Sequence, residues 1–221
     1  LEGSSATALT RLAGDFNADI ACAAFSPEDT MLAVASADSA LFLYNVDNGK
    51  PIGRACMLDS PAVALLFTGD EKRVLAITME GMAHIFDIAT TAKPCFRGME
   101  HGSALLGMHL SKDEATLYTW GETRFRAWHM GTGKERYPAI AFPAPISGAI
   151  LIDNRVVLWS IEGIAQIFDT TTGAPCGPIL AHGAKLSGAT ISNGHLLTWD
   201  KHGLIREWFV ELNDMVKQSN F

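Results

Sequence analysis

The stretch His195–Trp208, HLLTWDKHGLIREW, consists of two short apolar runs joined by a polar turn that contains Gly203. Two such runs around a glycine-containing turn predict a β-hairpin. The same layout occurs four more times, in Met31–Tyr44, Arg73–Phe86, Thr116–Trp128 and Arg155–Phe168. The aromatic residues that end the five copies are separated by 42, 42, 40 and 40 residues, and they are Tyr44, Phe86, Trp128, Phe168 and Trp208. A fixed period of about 40 residues predicts a repeat architecture.

Each repeat contains four short apolar segments with Gly, Asn or Pro between them. Turn residues every 8 to 12 positions, without a sustained helical period, are typical of an all-β protein. Four strands in about 40 residues correspond to one blade of a β-propeller. The sequence therefore predicts an all-β propeller of five four-stranded blades that end near residues 46, 88, 130, 170 and 210. Single repeats cannot bury their own apolar faces, so we expect residues 1–221 to form one domain, with a short helical tail at 211–221.

The ends of the chain bear on how the ring closes. The last repeat ends on its third strand, whereas Thr7–Leu12 supplies a spare strand before the first inner strand. We expect Thr7–Leu12 to pair with Leu204–Val210 and to close a monomeric ring, because open sheet edges invite aggregation. Two alternatives stay open: an open arc that pairs with a second copy, and a fragment of a larger propeller.

The repeats resemble WD repeats over about Thr7 to Val210. The segment AAFSPEDTMLAVASADSALFLYNVDNGKPIG matches that pattern most closely. The Gly-His pair of the family corresponds to EHG at Glu100–Gly102 and AHG at Ala181–Gly183. No copy keeps the terminal Trp-Asp intact. The style of the segments GKPIG, GAPCGPILAHG and LLTW is similar to WD repeats of large bacterial signalling proteins, where propellers serve as sensor or docking ends.

The resemblance implies a buried hydrogen-bond network of His, Ser/Thr, Asp and Trp within a blade. The fifth repeat offers His182, Thr198 and Trp208, with Asp200 or Lys201 in the place of the turn acid. The third repeat offers His101, Thr119 and Trp128 with a shortened turn. The other three repeats are expected to rely on apolar packing.

Charged residues recur in the turn between the second and third strands of each blade. Radial repetition would bring these turns to one rim, where loops carry binding residues. The residues that we expect to contact a partner are Asp38, Glu80, Glu122, Arg124, Glu162, Lys201 and His202. Turns also favour solvated acids for purely local reasons, so this assignment is a hypothesis.

Other features restrict the class of function. The sequence has no nucleophile elbow, no phosphate-binding loop and no zinc-ligand pair, so we expect no enzyme activity, no cofactor and no metal. A net charge of −7 disfavours nucleic acid as a partner. No segment reaches the roughly 20 apolar residues of a membrane span. The spacing of Cys22, Cys56, Cys95 and Cys176 lacks pairs, which predicts free thiols in a reducing cytoplasm.

The sequence thus predicts a cytoplasmic interaction platform for a protein partner or for an attached signalling domain of a larger bacterial protein. The alternative is a five-bladed sugar-binding or glycoside-active propeller. For that alternative, Trp120, Trp159 and Trp199 occupy matching places and would form a sugar platform. We favour a packing role for these rings between neighbouring blades.

Overall fold

The computed structural model describes residues 17–90, 98–192 and 195–209. Within these ranges the chain forms β-strands and turns and no helix, so the predicted all-β class is confirmed there. The predicted first strand Thr7–Leu12 and the predicted helical tail at 211–221 lie outside the described residues.

The strands form successive antiparallel sheets, numbered here in chain order. The strands of the first sheet are β1 (Ile20–Phe25), β2 (Met31–Ser36), β3 (Ala40–Asn45) and β4 (Cys56–Met57). Those of the second sheet are β5 (Ala62–Phe67), β6 (Arg73–Thr78), β7 (Met82–Asp87) and β8 (Met99–Glu100). Those of the third sheet are β9 (Gly107–Leu110), β10 (Thr116–Gly121), β11 (Arg124–His129) and β12 (Ile140–Ala141).

The fourth and fifth sheets continue the pattern. The strands of the fourth sheet are β13 (Gly148–Ile152), β14 (Arg155–Trp159), β15 (Ile164–Asp169) and β16 (Leu180–Ala181). Those of the fifth sheet, which has three described strands, are β17 (Leu186–Ser192), β18 (His195–Asp200) and β19 (Ile205–Phe209). A succession of four-stranded antiparallel meanders is consistent with a β-propeller-like fold.

The chain divides into two compact units. The first unit extends to Gly121 and includes Arg126–Arg136, and the second comprises Glu122–Phe125 and the chain from Tyr137 onward. In the first unit, one apolar cluster joins β2 and β3 to the second sheet, with Leu41, Phe67 and Phe86 among its buried members.

A second cluster in the first unit joins β6 and β7 to the third sheet. It buries Leu75, Ile85, Leu117 and Trp128. In the second unit, Val157, Ala165 and Ile167 of the fourth sheet pack with Leu196 of the fifth. Each sheet therefore buries a face against the next sheet within its unit, as expected for repeats that cannot form a core alone.

Candidate interaction surface

The turns between the second and third strands are exposed. Asp38, Glu80, Glu122 and Glu162 lie in these turns in the first four sheets, and their side chains face solvent. Lys201 and His202 lie in the corresponding turn of the fifth sheet and are also exposed. Arg124 differs from the prediction, since it is the first residue of β11 and not a turn residue, although it too is exposed. Each of the seven predicted side chains is thus available to solvent.

Backbone contacts hold these turns in one conformation. The residue that follows the fourth strand donates its N–H to the turn, as in Leu58 to Ser39 O at 2.8 Å and His101 to Gly81 O at 2.8 Å. The same bond joins Phe142 to Thr123 O and His182 to Gly163 O. The turns are therefore preorganised, which lowers the entropic cost of binding a partner.

Gly81 shows why the sequence supplies a glycine in the second-sheet turn. Its φ is +91°, and a Cβ at this position would lie 2.2 Å from the carbonyl oxygen of Ser103. Both the conformation and the close approach exclude a side chain. The second-sheet turn is thus pressed directly onto the loop that precedes β9.

The structure brings together the polar residues of the third sheet. The hydroxyl of Thr119 lies 2.9 Å from His101 Nδ1 and accepts a hydrogen bond from Trp128 Nε1 at 2.8 Å. Thr119 and His101 are fully buried. In the fifth sheet, Thr198 Oγ1 lies 2.8 Å from His182 Nδ1 and 2.9 Å from Trp208 Nε1. Both groups are the side-chain sets that the resemblance implied, and they serve to hold strands together.

Asp200 and not Lys201 is the buried residue at the fifth-sheet turn, since Asp200 is 7% exposed and Lys201 faces solvent. The carboxylate of Asp200 accepts the backbone N–H groups of His202 at 2.8 Å and Leu204 at 3.0 Å. Two opposing effects act on the pKa of Asp200, and burial on its own would raise it. The hydrogen bonds from Leu204 and His202, with the charges of the nearby His202 and His182 side chains, outweigh burial and leave the pKa below its usual value. Asp200 therefore fixes the hairpin turn as an ionised group.

The second sheet corrects the expectation that it relies on apolar packing alone. Leu58 stands where the next sheet has His101, and the residue after it, Asp59, places its carboxylate 2.5 Å from His84 Nε2. The hydroxyl of Thr78 donates to the other oxygen of Asp59 at 3.3 Å. The second sheet thus has a histidine on β7 and an acid in the loop before β5, in addition to Glu80 in its turn. Sequence comparison position by position missed this pair because the resemblance assigns a polar role to neither position.

The three matching tryptophans pack on glycines of their own sheets. Trp120 pairs across the strands with Gly107, Trp159 with Gly148 and Trp199 with Gly188. A Cβ on these glycines would lie 2.1, 2.0 and 2.4 Å from the nearest indole atom. The predicted packing role is correct, but its main partner lies within the sheet. Trp159 also packs against the apolar cluster that contains Leu196.

Acidic residues that link sheets were not identified from the sequence. Glu71 accepts the N–H of Glu28 at 2.8 Å and the hydroxyl of Thr30 at 2.9 Å, which connects the first two sheets. Glu114 accepts the N–H of Gly69 at 2.5 Å and connects the second and third sheets. Both residues have a φ of 54°. The signal for them was the recurrence of an acid in the turn between the first and second strands of the first four repeats.

Within the described ranges, no group of three or more His, Cys, Asp or Glu residues is arranged to hold a metal ion. The same part of the chain contains no helix that is long and apolar enough to cross a membrane. In comparisons with known proteins, no family model and no curated protein matches the chain. The candidate interaction surface therefore consists of the exposed turns and the backbone hydrogen bonds that hold them.

Proposed function

We propose that this protein is a non-catalytic interaction scaffold, a five-bladed propeller of the WD type that docks a protein segment on its hairpin turns. The observation that carries the proposal is the pairing of exposed charged side chains with turns that backbone hydrogen bonds hold in place. Binding residues concentrate on loops that a rigid scaffold positions. Docking on such loops requires little change of shape.

Ring closure by Thr7–Leu12 is part of the proposal. The described part of the fifth sheet leaves Ile205 and Phe209 of β19 64% and 74% exposed, an apolar edge that a further strand would cover. Leu9→Pro in the full chain should therefore lower the melting temperature, since proline removes a ladder hydrogen bond. Ser4→Pro is the control and should have little effect. A native mass of twice the chain mass at micromolar concentration would contradict the monomeric ring.

The docking role is tested by selection of a random dodecapeptide library on the immobilised chain. Enriched peptides should bind wild type and bind more weakly to the variant D38K/E80K/E122K/E162K, because reversing four exposed charges removes electrostatic complementarity. The single variants E28K and E80K change the net charge equally and are compared with each other, since Glu28 lies in an exposed turn between the first and second strands and outside the proposed docking turns. Failure to enrich any peptide would contradict the docking role. Equal binding to the quadruple variant would exclude these turns.

The setting in a larger bacterial signalling protein is proposed from the resemblance alone. An antibody to this chain should then detect a band far above 23.8 kDa in the source cell. The sugar-binding alternative has less support, because each tryptophan suggested for it has its ring packed on a glycine.

A further inference from the structure

Three large apolar side chains are exposed in the second and third sheets, one on the strand β5 and two in the adjoining turn and loop. Val63 is 38% exposed, Met79 59% and Leu106 57%. We call them the apolar patch. None of them belongs to the charged set described above, and none is needed to fill a core. Exposed apolar side chains that cluster on one surface mark interaction sites.

Hydrogen bonds between the loops bring the three residues near one another. The N–H of Met79 donates to Pro61 O at 3.0 Å, two residues before Val63. The turn at Gly81 accepts the N–H of His101 and is in contact with Ser103, three residues before Leu106. All three segments lie in the first compact unit. The patch therefore rests on connected backbone and not on independent loops.

Val63 is exposed because β5 contains a bulge. The register between β5 and β6 shifts between Ala62 and Ala64, so Val63 has no partner residue on β6. A bulge turns a side chain away from the regular alternation of a strand. An apolar β-branched residue would otherwise face the sheet interior, whereas Val63 is 38% exposed.

The corresponding positions in several other sheets are small or polar, although Ile161 stands at the Met79 position in the fourth sheet. Ser187 occupies the bulge of the fifth sheet, as Val63 does in the second. Ser147 donates its N–H to Trp159 O at 2.8 Å, as Leu106 donates to Trp120 O. Ala37 donates to Asp19 O as Met79 donates to Pro61 O. The fold thus accepts Ser or Ala at each position, and the large apolar residues on these two sheets are not a structural requirement.

The charged side chains within the segments of the apolar patch are acids, and Arg126, which donates to His101 O at 2.9 Å, is itself paired with Glu135. The segments 59–63, 79–81 and 100–106 contain Asp59, Glu80 and Glu100 and no Lys or Arg. Glu80 and Glu100 are exposed, and the side chain of Asp59 is 32% exposed beside His84. A partner that buries an apolar side chain on this surface gains further from positive charges at its flanks.

We infer that the apolar patch of Val63, Met79 and Leu106 docks a peptide segment of another protein that carries one large apolar side chain flanked by Lys or Arg. This inference rests on the proposed docking function and names its partner class. Methionine suits such a surface because its flexible thioether adapts to the shape of the anchor. The large apolar side chain of the peptide would supply most of the affinity. The acidic residues around the patch would set the orientation of the peptide and the salt dependence of binding.

The test uses the full chain and fluorescein-labelled peptides with a central Phe and two Lys on each side, read by fluorescence anisotropy. Matched peptides replace Phe by Ser or all Lys by Glu. The Phe–Lys peptide should bind wild type at least about tenfold more tightly than either matched peptide. Added NaCl should weaken that binding.

The protein variants copy residues that the chain already uses at these positions: V63S, M79A and L106S. Each should weaken the Phe–Lys peptide about tenfold while the melting temperature changes little. Ile161→Ala is the matched control, because Ile161 is 52% exposed in the fourth-sheet turn. It should leave binding unchanged.

Two results would overturn the inference. One is absence of binding of the Phe–Lys peptide at about 1 mM, the weak end of specific affinity. The other is equal binding by wild type and the three patch variants. If peptides from the random library bind wild type and L106S equally, the docking function stands and the patch is wrong. If the library enriches nothing, the docking function itself fails.

Discussion

The second and third sheets are consecutive in the chain and share one meander topology, yet their polar groups are built differently. In the third sheet, the buried hydroxyl of Thr119 joins His101 and Trp128. In the second sheet, the aromatic residue at the place of Trp128 is Phe86, and the strand that corresponds to β10 is the mainly apolar β6. The polar side-chain contact is the partly exposed pair of Asp59 and His84. The topology therefore does not require the buried group, because apolar packing and a peripheral pair support the same strands.

The two sheets should consequently respond very differently to loss of one polar side chain. Thr119→Val leaves two buried partners, His101 and Trp128, without their hydroxyl. Each unsatisfied buried group costs about 1–3 kcal/mol, so we expect a loss of about 3 kcal/mol in the free energy of unfolding. Urea denaturation measures this loss. Thr123→Val is the control, since Thr123 is exposed in the adjacent turn and should change stability by less than about 0.5 kcal/mol.

The second and third sheets also differ in one cross-strand pair, where the third sheet has a glycine opposite a tryptophan. Gly107 faces Trp120 in the third sheet, whereas Ala64 faces Ile77 at the corresponding place in the second. Gly107→Ala places a Cβ 2.1 Å from the indole, and such overpacking costs about 1–3 kcal/mol. The double variant G107A/W120I copies the second-sheet pair and should recover at least about half of the loss. Thermal unfolding tests this, and absence of recovery would show that the clash is not the cause.

The repeat made the sheets predictable, because strand and turn patterns recur with the aromatic. The group around Thr119 was also accessible, since its three residues stand where the resemblance to WD repeats places them. The pair Asp59–His84 was not, because the resemblance assigns a polar role to neither position and the contact depends on how a loop folds over β7. The glycines under the tryptophans were missed for a related reason. Their role depends on cross-strand register, which a bulge in β17 shifts by one residue.

The peripheral pair of the second sheet should contribute less than the buried group of the third. Asp59→Ala removes the contacts to His84 and Thr78. Because the carboxylate is partly solvated, water replaces those contacts, and we expect a loss of about 1 kcal/mol. Urea denaturation beside Thr119→Val compares the two sheets directly, with Glu80→Ala as a control for charge. A loss as large as that of Thr119→Val would mean that the polar groups of the two sheets are equivalent.

The hydrogen bonds that Glu71 accepts between the first and second sheets should have the smallest effect on the free energy of unfolding, and this effect depends on pH. Hydrogen bonds from the hydroxyl of Ser26, the N–H of Glu28 and the hydroxyl of Thr30 hold the pKa of Glu71 below its usual value, although desolvation opposes them. A carboxyl group whose pKa is lower in the folded state contributes stability that is present above the unfolded pKa and is lost as the pH falls through the folded pKa. Glu71→Gln should therefore reduce the loss of stability on acidification below the usual glutamate pKa. The urea midpoint between about pH 2 and 6 measures this slope.

The matched control for this link is Glu80→Gln, which removes one exposed charge without breaking a contact between sheets. It should leave the slope of stability with pH nearly unchanged. A slope that is equal in wild type and Glu71→Gln would mean that the carboxylate of Glu71 contributes no more in the folded chain than in the unfolded one. In that case the first and second sheets are held by their shared apolar cluster alone, and the exposed acids between them act only as turn residues.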